Sequence, residues 1–159
     1  MPRYVKQVRK TDCGVVAYVN VLKWAKIPVS YEKRCEYDRI VNHVIGVGTY
    51  RNDLIKAIRT HPLSVFVRNT NSIKDLDTYL ERGKAAILQY RHSGGFKVPE
   101  VWHFGLVIQK KYGKYETVNV HSSSLDFYPK KSKAWINKEL MNNLLKGSQK
   151  NLMIVLGIK

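Results

Sequence analysis

The sequence predicts an α+β fold in which an N-terminal helical part packs on a C-terminal antiparallel sheet. Two observations carry this. Up to about Arg82 the apolar residues recur mostly at helical spacing, with one short strand among them. From Ala85 onward the pattern changes to short apolar runs divided by turn residues, the layout of helices first and sheet second. The 159 residues contain no internal repeat and no long Pro/Gly/Ser linker, so residues 1–159 are expected to form one domain.

Asp12 is placed to cap a first helix from about Cys13 to Ala25, and Pro28 lies beyond its end. Val15, Val16, Tyr18, Val19 and Leu22 make this helix apolar nearly all round, which predicts burial. A second helix is expected from Ser30 to about Val44, stopping at the Gly46-Val47-Gly48 turn. Thr49 would cap a third helix through Arg59, with Leu54, Ile55 and Ile58 on one face. Leu63 to Val67 reads as a short strand. Ser72 would cap a helix over Ile73–Arg82 that Gly83 terminates. Ala85–Tyr90 is the next strand, followed by a loop with Gly94-Gly95 and Pro99. Trp102–Lys110 and Tyr115–His121 would form a hairpin across Tyr112-Gly113. Ser132 or Asn137 would open a helix through Leu145, and Leu152–Leu156 would be the last strand.

Composition narrows the class. A hydrophobic fraction of 44% is that of an ordinary globular protein. Met1–Lys10 lacks the apolar core of a signal peptide, and no apolar run approaches a membrane span. The expected product is therefore soluble and cytoplasmic (in the host cell, for a viral source). Two cysteines, Cys13 and Cys35, argue against a disulfide framework. No Cys/His spacing supports a zinc site, and no cofactor is expected. The net charge of +16 fits contact with a polyanion such as nucleic acid, an anionic membrane or an acidic partner, without choosing among them. Arg3, Lys6, Arg9 and Lys10 form one basic cluster, and Lys130, Lys131 and Lys133 another. Neither is interleaved with aromatics as a base-stacking groove would be.

The chemistry-bearing residues are Gln7, Cys13, His103 and Asn119. Cys13 opens a helix, where partial positive charge and unsatisfied N–H groups would lower a thiol pKa. A histidine can take the thiol proton and later deliver it to a leaving amine. His103 opens one strand of the hairpin and Asn119 lies near the end of the other, so the two are expected nearly opposite each other. An amide there could orient the imidazole. The Gln7 side chain and the Cys13 backbone N–H are candidate donors to an oxyanion, with Gly14 leaving room for substrate. Taken singly each residue has a structural explanation; their order, spacing and element type agree. Cys35 reads as structural. His43, His61, His92 and His121 have no comparable context.

The stretch Gln7-Val-Arg-Lys-Thr-Asp-Cys-Gly-Val-Val-Ala17 resembles the signature of the bacteriocin-processing cysteine peptidases, papain-like domains that remove double-glycine leader peptides. Ile27-Pro-Val-Ser, Gly46-Val-Gly-Thr49, Leu80–Leu88 and His103-Phe104 are similar to successive parts of that family's pattern. The resemblance implies a papain-like cysteine peptidase fold, a peptide or protein substrate, and catalysis by Cys13, His103, Asn119 and Gln7. Asn119-Val120 departs from the family's Asp-Pro, which removes a negative neighbour from the imidazolium. The family domain usually belongs to an export transporter, and here no membrane span follows, so export-coupled processing is not carried over. The expected function is a free-standing cysteine peptidase. The alternatives are a thiol amidase, isopeptidase or acyltransferase, or a catalytically silent module that binds nucleic acid or an acidic partner.

Overall fold

The computed structural model describes residues 3–8, 11–29, 34–44, 48–94, 98–121, 129 and 131–159. Among these residues the helices are α1 (Cys13–Trp24), α2 (Arg34–Ile40), α3 (Arg51–Arg59), α4 (Ile73–Glu81) and α5 (Lys138–Lys146). The strands are β1 (Leu63–Asn69), β2 (Ala85–Gly94), β3 (Val98–Lys111), β4 (Lys114–Val118), β5 (Lys133–Ile136) and β6 (Ser148–Ile158). They form one antiparallel sheet in the order β1-β6-β2-β3-β4-β5. The α+β expectation holds, with helices on both faces of the sheet rather than on one.

Side-chain alternation makes the two faces. Ala85, Ile87, Phe104, Leu106, Ile154 and Leu156 turn to the layer of α1, α2 and α3. Their neighbours Ala86, Leu88, Val107, Met153 and Val155 turn to α4 and α5. The central strands β2 and β6 are buried on both sides, which explains why Ala85–Leu88 and Met153–Leu156 are continuous apolar runs instead of alternating ones. Helix α1 is buried without interruption from Cys13 to Leu22, as its all-round apolar pattern predicts.

Several boundaries differ from the sequence reading. The Asp12 side chain does not cap α1; its carbonyl accepts from Val16 N–H at 2.9 Å while the residue itself is fully buried. Ser30 and residues 45–47 lie outside the described residues. Helix α2 stops at Ile40, before the expected Val44, and Asn42 follows with a left-handed φ of 56°. Val44 and Gly48 then exchange two 2.8 Å backbone bonds. Tyr50, not Thr49, holds the N-cap position of α3. Gly83 does end α4: at φ 74° it donates to Leu80, and Lys84 donates to Tyr79, the paired bonds of a Schellman motif. Tyr112 and Gly113, both at positive φ, make the tight hairpin turn between β3 and β4.

The expected loop from Arg91 to Val101 is largely strand. Residues of β2 and β3 stay paired from Ala86↔Val107 to Gly94↔Val98, with an irregularity between His92 and Gly94. Cross-strand pairing overrides the loop preference of Gly94 and Pro99. Strand β5 was not foreseen, and of the two proposed helix starts Asn137 is the one used, its side chain accepting from Leu140 N–H at 2.8 Å. No helix among the described residues is long and apolar enough to cross a membrane.

Candidate active site

The N-terminal segment is threaded past α1 by two buried asparagines. Asn20, on an otherwise apolar helix, accepts from Val5 N–H through Oδ1 and donates to the Val5 carbonyl through Nδ2, each at 2.9 Å. Two residues further on, Gln7 N–H donates to Oδ1 of Asn119 at 2.8 Å. These bonds give the backbone groups of half-buried Val5 and buried Gln7 partners on side chains. They also bring Gln7 and Asn119, far apart in sequence, to one place.

Cys13 begins α1 and is 9% exposed. Burial pushes its thiol up to about 11, and the charge of Asp12 pushes the same way. The backbone N–H groups of Phe104, Gly14 and Cys13 itself oppose this by stabilising the thiolate. The expected lowering at a helix N-terminus is therefore outweighed by desolvation. A proton acceptor is needed before it can act as a nucleophile.

His103 immediately precedes Phe104, whose N–H meets the sulfur, and is itself buried. Its Nε2 lies 2.5 Å from the Asn119 main-chain carbonyl. A carbonyl only accepts, so Nε2 carries the hydrogen, and in the neutral ring Nδ1 is the basic nitrogen. Asn119 thus meets the imidazole with its backbone, whereas its side chain, expected to orient the ring, holds Gln7 instead. Nδ2 of Asn119 is buried with no hydrogen-bond partner among the described residues.

The β3–β4 register shifts by one residue between Val107 and Gln109 and pairs Leu106 with Val118; continued, it sets His121, not Asn119, level with His103. Asn119 takes φ 54°, ending β4, and its N–H donates to Ser132. Asn119→Ala is expected to lower stability by roughly 2 kcal/mol, because it orphans the Gln7 N–H and places alanine in the left-handed region. Asn119→Gly should recover the backbone part. Urea melts check both, and an unchanged midpoint for alanine would contradict the account.

Gly14 does not leave room for substrate. A Cβ there would lie 2.4 Å from Thr49 Cβ and 2.7 Å from its Oγ1, so Thr49 already fills that space. The sequence reading also passed over His121 and Tyr90. The Tyr90 hydroxyl is 2.8 Å from His121 Nδ1 and accepts from His121 N–H at 3.0 Å. The His103 and His121 rings are 4.5 Å apart at 74°, and Tyr90 meets His103 edge-on at 5.4 Å. Period-2 alternation along the hairpin was the signal that could have found them, given the register shift. Cys35 lies in α2. Of the basic clusters, Arg3, Lys6 and Lys131 are exposed, Lys133 pairs with buried Glu116 at 2.9 Å, and Arg9, Lys10 and Lys130 lie outside the described residues.

No family model matches the chain, and no curated protein matches it in sequence. Solved structures do match. The peptidase domain of Streptococcus ComA, a bi-functional ABC transporter involved in quorum sensing, is similar with a TM-score of 0.68 at 16% identity, over 99% of this chain and 100% of that one. A double glycine motif protease from an AMS/PCAT transporter, solved in complex with the leader peptide, gives 0.64 at 16% identity over 99% and 91%. A protein of Bacillus anthracis described as a C39-like peptidase gives 0.63 at 13% identity over 99% and 95%. The chain has the fold of the C39, double-glycine peptidase domains.

Proposed function

We propose that the protein is a cysteine peptidase acting on a peptide or protein substrate. Cys13 is the nucleophile and His103 the base that takes its proton. The observation carrying this reading is the Phe104 N–H at the Cys13 sulfur, one residue from an imidazole whose Nε2 is tied to the Asn119 carbonyl. With Nδ1 as the basic nitrogen, His103 can accept the thiol proton as sulfur attacks the scissile carbonyl, and return it to the leaving amine. The Cys13 backbone N–H and the Gln7 amide are the donors assigned to the oxyanion. Asn119 acts through its carbonyl on His103 and through its side chain on Gln7, so one residue aligns base and oxyanion donor. The leader peptide bound by the AMS/PCAT protease supports an extended peptide as the substrate class.

Cys13→Ala is expected to abolish hydrolysis of a peptide library read by mass spectrometry, while Cys35→Ala leaves it unchanged. Hydrolysis that survives Cys13→Ala would overturn the assignment. Release of amide, isopeptide or acyl-transfer products in the same readout identifies the bond attacked. The +16 charge favours a second reading, a silent module that holds a polyanion. Absence of hydrolysis, with tight, steeply salt-dependent DNA binding that Cys13→Ala does not alter, would put that reading first.

A further inference from the structure

We infer that His121 is a positioning residue for His103, a reading that rests on the proposed roles of Cys13 and His103. His121 is buried, 3% exposed, so solvation does not explain a polar ring at this place. Its ring stands against the ring of His103, with centroids 4.5 Å apart in a T-shaped arrangement. Tyr90, the cross-strand partner of His103, contacts both rings, with centroids 5.4 Å from His103 and 6.0 Å from His121. The Tyr90 oxygen accepts the His121 N–H at 3.0 Å, and the same hydroxyl is 2.8 Å from His121 Nδ1, so backbone and ring of His121 are held by one group.

The segment Asn119-Val120-His121 therefore holds the imidazole of His103 at two places. The Asn119 carbonyl takes its Nε2 edge, and the His121 ring packs on it two residues later. Gly105 makes this approach feasible. A Cβ at position 105 would fall 2.5 Å from Val120 Cγ2 and 3.2 Å from Tyr90 Cε1, closing the space the segment occupies. The Asn119 carbonyl fixes the Nε2 edge of the imidazole, and the Tyr90 and His121 rings bound the space in which it could turn about that bond. Small misplacements of a reacting group carry large kinetic costs, up to about 100-fold for roughly 1 Å.

The test is the pH dependence of Cys13 alkylation by iodoacetamide between about pH 5 and 10, read on the Cys13 peptide by mass spectrometry. His121→Ala is expected to keep the pH at which His103 assists the thiol but to lower the rate there by about 10-fold. Tyr90→Phe, which removes one oxygen and keeps the packing, should lower it by about 3-fold, and His121→Phe should react faster than His121→Ala because an aromatic face is restored. A merely structural role would move the melting midpoint and leave the rate of the folded fraction unchanged. Wild-type rates in both His121→Ala and Tyr90→Phe would overturn the inference. Should His121→Ala fail to fold, the rate of Tyr90→Phe decides. A rate loss in His103→Ala without one in the other variants overturns this inference alone; a His103→Ala profile identical to wild type overturns the catalytic reading as well.

Discussion

His103→Ala is expected to slow alkylation of Cys13 at neutral pH by about 10²- to 10⁴-fold, the range a positioned general base contributes. The argument starts from the thiol. Burial holds Cys13 up at about 11, so at pH 7 roughly one molecule in 10⁴ would carry a thiolate without help. A raised acid stays protonated until the pH climbs through its own value. Without His103 the reactivity should therefore rise about tenfold per pH unit toward about 11, with no shoulder below it. In the wild-type protein a reactive shoulder should appear at lower pH, where the neutral imidazole is available to take the proton through Nδ1. The measurement is a rate profile for the Cys13 peptide in both proteins. Superimposable profiles would mean that His103 does not serve this thiol, whatever its distance.

Which parts of this arrangement could be read beforehand follows from the range of the interactions that make them. Helix α1 was legible because its burial is written in consecutive apolar residues, and the β3–β4 turn because Tyr112-Gly113 is local chemistry. Cys13 and His103 could be singled out as soon as their elements were placed. The third contact could not. It depends on the one-residue register shift between Val107 and Gln109, and on the left-handed φ of Asn119, which trades a side-chain contact for a carbonyl one. His121 has no visible context in the sequence for the same reason: without the register shift its side chain would lie on the other face from His103. Position alone does not fix the acidity of Cys13, since a helix N-terminus favours thiolate while the surrounding core penalises it. Strand β5 is four residues long and among the described residues pairs only with β4, so little in Lys133–Ile136 announces it. The place of β6 between β1 and β2 is likewise a long-range pairing that a strand's own residues do not encode.

Gly14→Ala carries an expected loss of stability as large as that of Asn119→Ala. A methyl group there would sit 2.4 Å from Thr49 Cβ and 3.1 Å from its Cγ2, and the first of these cannot be relieved by rotating the threonine side chain. One of the two backbones must move. Overpacking of this kind costs about 1–3 kcal/mol, and the upper end applies because Thr49 Cβ moves only with its backbone. Alanine's better helix propensity offsets about 1 kcal/mol of that, leaving a net loss near ~2 kcal/mol. The same shift would carry the Gly14 N–H away from the Cys13 sulfur, so alkylation should slow along with the fall in stability. A double-mutant cycle isolates the cause: in Gly14→Ala/Thr49→Gly the clash is gone, and the combined loss should be smaller than the sum of the single losses. Strict additivity in urea melts, or a Gly14→Ala midpoint equal to wild type, would show that α1 and the Thr49 segment are not packed as closely as these distances require. A recovered fold with recovered Cys13 reactivity would instead tie the reactivity to the seating of α1 against Thr49, a contact that the spacing of Gly14 and Thr49 in the chain gives no hint of.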